Sequence, residues 1–341
     1  MNDNLFGKTL AEIELICQSL DIPKYTGQQI CNWMYHKNVY NLEKMTNISK
    51  KIQKKILKNY KLYLSPPYKK LISKDGTKKY VFQTQNGFIE TAVIISNDRV
   101  TLCLSTQVGC KRKCSFCLTG KQKFQGNLSI EEILNQYAFS AKQNNITNIV
   151  YMGMGEPFDN LDNVMKSLEI LTAKYGYGKS SKRITVSTVG IIDAVEHFLK
   201  YSKCNLAISL HSPFSNERKK LMPVEKLYPF EKLLTILKGY TLSKQQRITF
   251  EYTLFKGLND TIAHANKLCQ VLAGLRGRIN LLSFNEFPGS TLQSTCQENT
   301  LKFKAILEKK GFIATIRKSK GTDISAACGL LSTKEIMNHR H

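Results

Sequence analysis

The chain has 341 residues, 42% hydrophobic and 22% charged, with a net charge of +24. That balance can bury a sizeable core and excludes a disordered or fibrous chain. No apolar run approaches the ~20 residues of a membrane span, and MNDNLFGKTLAEIELICQSL reads as no secretory signal, so a cytoplasmic protein is expected.

Residues 1–65 read as a small helical unit. Leu10, Ile13, Leu15, Ile16 and Leu20 fall at helical spacing, Ile30, Trp33 and Met34 indicate a second helix, and KKIQKKILKNYK a third. The lysines of the third are either a phosphate-facing surface or a solvated face. Ser65-Pro66-Pro67 breaks the pattern. Residues 66–98 then form a linker whose KKYVFQTQNGFIETAVI alternates about Asn86-Gly87, a strong hairpin signal.

From about residue 100 strands and helices alternate. The expected strands are Val100–Ser105, Asn148–Met152, Arg183–Ser187, Asn205–Leu210, Arg247–Leu254, Arg278–Ser283 and Ile313–Arg317. Ser129–Lys142 is the clearest helix, opened by the capping box Ser129-x-x-Glu132. Repeated βα units predict a parallel sheet, open or curved into a barrel, over 99–318, with a C-terminal segment at 319–341. Unusual residues cluster just after the strands, where such folds bind ligands.

Cys110-x-x-x-Cys114-x-x-Cys117 is the strongest of these signals. Three thiolates on one loop can hold three corners of an iron–sulfur cluster or three positions of a zinc ion. No second Cys pair follows to close a structural zinc site. The charge excess, 50 Lys and Arg against 26 Asp and Glu, favours a nucleic-acid partner, although a lysine-rich composition alone would also produce it. Lys111, Arg112, Lys113, Lys121, Lys123, Arg317, Lys318 and Lys320 flank the cysteine motifs as possible phosphate contacts.

The CxxxCxxC loop resembles that of the radical S-adenosylmethionine (SAM) superfamily, where it holds a 4Fe–4S cluster whose open iron chelates SAM. The resemblance narrows to the RlmN/Cfr-type RNA adenine methyltransferases. It is carried by TLCLSTQVGCKRKCSFCLTG (101–120), MGMGEPFDNLDNV (152–164), ITVSTVGI (184–191), LAISLHSP (206–213), INLLSFNEFPG (279–289) and DISAACG (323–329), in order along almost the whole chain. It implies a partial parallel (β/α)6-type barrel with an N-terminal accessory domain. Cys110, Cys114 and Cys117 match the cluster ligands, and Gly155, Glu156, Ser187, Ser209, Leu210, His211 and Asn285 match SAM contacts.

Three further residues carry the implied reaction. Cys328 matches a cysteine that is methylated by one SAM and then carries the carbon to C2 of adenine. A radical from a second SAM activates that methyl group. Cys103 matches the thiol that releases the product through a transient disulfide with Cys328, and Glu90 a proposed proton acceptor. The implied partners are 23S rRNA, tRNA beside the anticodon and a flavodoxin-like electron donor, with the enzyme a monomer. Leu330 replaces a glutamine and LSFNEFPG a WNPFPG-like run, departures away from residues with assigned roles. Two competitors remain: the resistance-type enzyme that methylates C8, which resembles GMGEA where this chain has Glu156-Pro157, and a non-catalytic iron–sulfur or zinc RNA-binding protein.

Overall fold

The computed structural model describes residues 3–241, 243 and 246–333. In the N-terminal unit, α1 (Leu10–Ser19) starts at Thr9, whose side chain accepts the Glu12 N–H while the Glu12 carboxylate accepts the Thr9 N–H at 2.8 Å. This capping box satisfies two donors that a helix start leaves open. The second helix begins earlier than the sequence indicated, as α2 (Tyr25–Cys31), and runs into a π-turn at Asn32–His36. α3 (Lys50–Leu57) buries Gln53 and Ile56 and leaves Lys50, Lys51, Lys54 and Lys55 exposed. Tyr35 and Tyr40 pack this unit against Tyr177, with a 5.2 Å ring separation and a 3.0 Å hydroxyl contact respectively.

Ten strands form the main sheet: β1 (Lys69–Ile72), β2 (Lys78–Thr84), β3 (Gly87–Ser96), β4 (Arg99–Cys103), β5 (Asn148–Tyr151), β6 (Ile184–Thr188), β7 (Asn205–Ser209), β8 (Ile248–Leu254), β9 (Gly277–Ser283) and β10 (Ile313–Arg317). Their spatial order follows the chain from β1 to β10. β4 to β10 are parallel neighbours, whereas β1 to β4 pair antiparallel. The hairpin therefore extends the barrel sheet, and residues 66–98 do not space two bodies apart. Thr84 pairs with Gly87, so the turn is Gln85-Asn86, one residue earlier than the Asn-Gly dipeptide indicates.

Six crossovers join the parallel strands through α4 (Ile130–Gln143), α5 (Leu161–Thr172), α6 (Ile192–Tyr201), the pair α7 (Ser215–Leu221) and α8 (Phe230–Gly239), α9 (Ile262–Leu272) and α10 (Gln297–Lys309). Helices covering a parallel sheet bury both its faces, which is why Leu206, Ala207 and Ile208 are all fully buried on consecutive positions of β7. The result is an α/β partial barrel. After β10 the chain returns across the strand ends. Asp323 accepts from Ser73 Oγ at 2.6 Å, Leu331 O from Thr119 Oγ1 at 2.7 Å, and Glu90 from the Ser332 N–H at 2.8 Å. Among the described residues no helix is long and apolar enough to cross a membrane.

Candidate active site at the strand ends

One cavity opens at the carboxyl ends of β4 to β10, where a parallel barrel gathers its loops. Cys110, Cys114 and Cys117 line it from the loop after β4. The loop is tightly wound: Cys117 N–H donates to Cys114 O at 3.2 Å and Gly120 N–H to Cys117 O at 3.0 Å. Gly109 sits at φ +73°, where an added Cβ would lie 2.2 Å from Lys123 O, so no other residue fits. Burial pushes the Cys110 thiol up to about 12, aided by repulsion from Cys117, and raises Cys114 further, aided by both other thiols. All three thiols reach the same cavity, and the thiolate is the form in which cysteine binds metal. That donor set fits three irons of a cluster.

The loop after β5 supplies Gly155 and Glu156. Gly155, at φ +94°, presses onto Gln107, whose Cβ would be 2.4 Å from an alanine methyl. Glu156 is 3% exposed; Oε1 accepts the Phe158 N–H at 3.0 Å and Oε2 the Val189 N–H at 2.9 Å. Burial nevertheless raises its carboxyl to about 7. A bound ammonium would restore the charge, which suits the amino group of SAM.

Ser187 and Ser209 line the same cavity at the ends of β6 and β7. His211, at φ +56°, accepts the Thr253 N–H on Nδ1 at 2.9 Å and packs edge-on against Phe116. Its proton is therefore on Nε2, and burial with the nearby Arg218 charge lowers it to about 3, so the ring is neutral. Leu210 is fully buried and does not line the cavity; its backbone holds the turn through its N–H to Glu251 O at 3.0 Å. Asn285 lines the cavity and donates Nδ2–H to Cys328 O at 3.0 Å.

The two distant cysteines lie within electrostatic reach of one another. Cys328 is accessible, facing the cavity, while Cys103 is buried at the end of β4. Both are free thiols. Burial pushes Cys103 up to about 12, and the Cys328 charge adds to that. Desolvation by the cavity walls also raises Cys328 although the residue keeps accessible surface; Arg317 opposes the rise at both thiols, and Glu251 and Cys117 add to it at Cys328.

Glu90 does not line the cavity. It is 3% exposed, ion-paired to Lys79 at 2.9 Å, and holds the Ser332 N–H. The expected proton acceptor is, in this geometry, a tie for the segment that bears Cys328. Alternation along β3 gave its parity but not its buried cation.

Several basic residues also serve different ends from those the sequence suggested. Arg112 pairs with Asp159, Arg317 turns into the cavity with Nη1 3.7 Å from Met152 Sδ, and Lys320 donates to Ile95 O at 2.6 Å. Sequence reasoning missed Arg218, which is buried, paired with Glu225, and donates to the carbonyls of Val189 at 2.7 Å, Ser209 at 3.0 Å and Leu210 at 3.2 Å. One guanidinium thus fixes three carbonyls at the ends of β6 and β7. Only a lone arginine inside an ordinary helical pattern marked it.

Residues 104–268 match the radical SAM superfamily and residues 3–62 the N-terminal domain of ribosomal RNA large subunit methyltransferases. A protein of Phocaeicola vulgatus described as a probable dual-specificity RNA methyltransferase RlmN is 47% identical, over 96% of this chain and 95% of its own. The chain belongs to the RlmN family of radical SAM methyltransferases. A dual-specificity RNA methyltransferase RlmN of Syntrophus aciditrophicus is 39% identical over 98% of this chain and 97% of its own. The crystal structure of a radical SAM methyltransferase from Sphaerobacter thermophilus superposes with a TM-score of 0.91 at 35% identity, covering 97% of this chain and all of that one. Membership in the RlmN family brings a 4Fe–4S cluster and SAM as cofactors.

Proposed function

We propose that this RNA methyltransferase forms 2-methyladenosine in 23S rRNA and in tRNA beside the anticodon, with Cys328 as the carbon carrier. The single observation behind this is that Cys328 reaches the cavity lined by the cluster loop and lies within electrostatic range of Cys103 and Arg317. The names of the two bacterial relatives above speak of dual specificity, and Glu156-Pro157 favours the C2 branch over the C8 branch.

When bound, the cluster and SAM would supply a hydrogen-abstracting carbon radical, with Cys110, Cys114 and Cys117 holding the cluster and Glu156, Ser187, Ser209, His211 and Asn285 surrounding SAM. Cys328 would take a methyl group on its sulfur, give up one methyl hydrogen to that radical and present the carbon to C2; the adduct then sheds the C2 proton and one electron, which the oxidised cluster would accept. The Cys103 thiolate attacks the Cys328 sulfur: a sulfur–sulfur bond forms, the sulfur–carbon bond to the base breaks, and the electron pair left on carbon takes a proton to complete the methyl group. An external dithiol then returns the disulfide to two thiols. Arg317 favours both thiolates against the burial that opposes them. Glu90 fixes the Cys328 segment; withdrawing the C2 proton would require its carboxylate to leave Ser332.

RNA must open locally to present one base. The exposed lysines of α3, with Lys111, Lys113, Lys121 and Lys123 around the outer face of the cluster loop, form the basic surface for its phosphates. A cytoplasmic monomer reduced by a flavodoxin-like donor completes the reading. Mass spectrometry of rRNA and tRNA nucleosides from cells with and without the gene tests it: loss of 2-methyladenosine from both RNAs is expected, and an unchanged level in both would sink it. Incubating Cys103→Ala with SAM, reductant and RNA should leave an RNA–protein adduct on a denaturing gel, which Cys328→Ala cannot form.

A further inference from the structure

The inner face of the barrel carries a polar row of which only Ser209 has a role in the reading above. Ser209, Glu251, Asn280 and Thr315 stand in register on β7, β8, β9 and β10. Thr315 Oγ1 donates to Asn280 Oδ1, and Asn280 Nδ2 donates to Glu251 Oε1 at 3.0 Å. Glu251 is thereby oriented. It is 4% exposed, it lines the cavity, and its Oε2 has no hydrogen-bond partner among the described residues.

Buried carboxyl oxygens are rarely left without a donor, because desolvation is then uncompensated. Glu156, the other buried carboxylate of this cavity, has a backbone donor on each oxygen. Arg317 and Cys328 line the same cavity, and the Glu251 charge acts on the Cys328 thiol. What is missing at Oε2 is therefore an N–H or O–H brought in by a ligand that reaches Cys328.

We propose that Glu251 Oε2 accepts the exocyclic amino group of the adenine to be methylated and so orients the base against Cys328. This rests on the adenine methyltransferase reading above. In an adenosine residue the 6-amino group is the only N–H donor on the base. Guanosine presents a carbonyl oxygen at that position, which a carboxylate repels. The same contact therefore selects adenine as well as aligning it.

The test replaces the target adenosine of an RNA oligonucleotide with purine riboside, which lacks only the 6-amino group. Affinity of the cluster-loaded enzyme for both RNAs is measured by fluorescence anisotropy, for wild type, Glu251→Ala and Glu251→Gln. Wild type should prefer adenosine by about tenfold, the worth of one hydrogen bond to a carboxylate. Glu251→Ala should lose the preference, and Glu251→Gln, whose amide oxygen still accepts, should keep part of it. Equal wild-type affinities overturn the assignment even if the alanine variant fails to fold. So does a preference that survives in Glu251→Ala, or a fall in SAM affinity with the preference unchanged, which would place Glu251 on SAM. A wild type that methylates neither RNA defeats the underlying function instead.

Discussion

The two walls of the cavity are built in opposite ways. The wall at the ends of β4 to β7 is held by several bonds converging on each strand end: Glu156 by two backbone N–H groups, three strand-end carbonyls by the Arg218 side chain, and Gly155 by direct contact with Gln107. The facing wall, β8 to β10 with residues 321–333, is tied by single bonds from far along the chain, one of them backbone, from the Leu118 N–H to Gly329 O at 2.8 Å. Asn285 holds Cys328, Thr119 holds Leu331, and Glu90 holds Ser332. A cofactor that must be bound in one geometry faces the first wall. In the proposed mechanism, the thiol that meets a methyl donor, a base and then Cys103 stands on the second. Rigidity is placed where position matters, and replaceable bonds where partners change.

The largest effect separates the walls outright. Cys114→Ala should lose both iron and SAM cleavage, because two thiolates cannot hold the cluster. Cys328→Ala should keep both and methylate no RNA. Iron content and 5′-deoxyadenosine yield of the two variants decide this; equal yields would erase the distinction.

Gly155→Ala should strike the first wall alone. Its methyl group meets Gln107 at a positive φ, and strain of about 1–3 kcal/mol should weaken SAM binding roughly 5- to 150-fold. Calorimetric titration with SAM reads it directly, and RNA affinity should stay unchanged.

Glu156 makes the same wall pH-dependent. Its carboxyl rises from an ordinary 4.5 to about 7, so between those values the folded protein without SAM keeps a proton that the unfolded chain has lost. Stability attributable to this group is thus greatest at low pH and is lost as pH rises through that window. An ammonium ligand needs the ionised form, so SAM affinity should fall about tenfold per pH unit below 7. A pH series of SAM titrations checks this, and Glu156→Gln should flatten the slope while weakening binding.

The smallest effect belongs to the second wall. Thr119→Val removes one buried bond to Leu331, worth about 1 kcal/mol. Amide hydrogen exchange across 326–333 should quicken about fivefold, with SAM affinity unaltered.

The first wall was the more legible of the two in sequence. Strand bounds fell within two residues, as in Asn148–Met152 against the observed Asn148–Tyr151, because consecutive apolar positions mark a doubly covered strand. Cys110, Glu156 and His211 stand just past those strands, but it was the resemblance to the radical SAM methyltransferases that gave Glu156 and His211 their roles. What escaped was pairing. Arg112, Arg317 and Lys320 looked alike as flanking cations, yet Asp159, the cavity and Ile95 O claim them individually. Glu251 was invisible because an acidic residue inside a strand gives no sign of lying in register with Asn280 and Thr315.

The bond between Ser73 and Asp323 spans 250 positions, and that between Thr119 and Leu331 spans 212. The entropy of closing a loop grows only with the logarithm of its length, so each doubling costs about 0.6 kcal/mol more. Single hydrogen bonds therefore suffice to tie the end of the described chain to the end of its first sheet strand and to the cysteine loop, and the cavity is roofed by a segment that can lift without disturbing the strands beneath it.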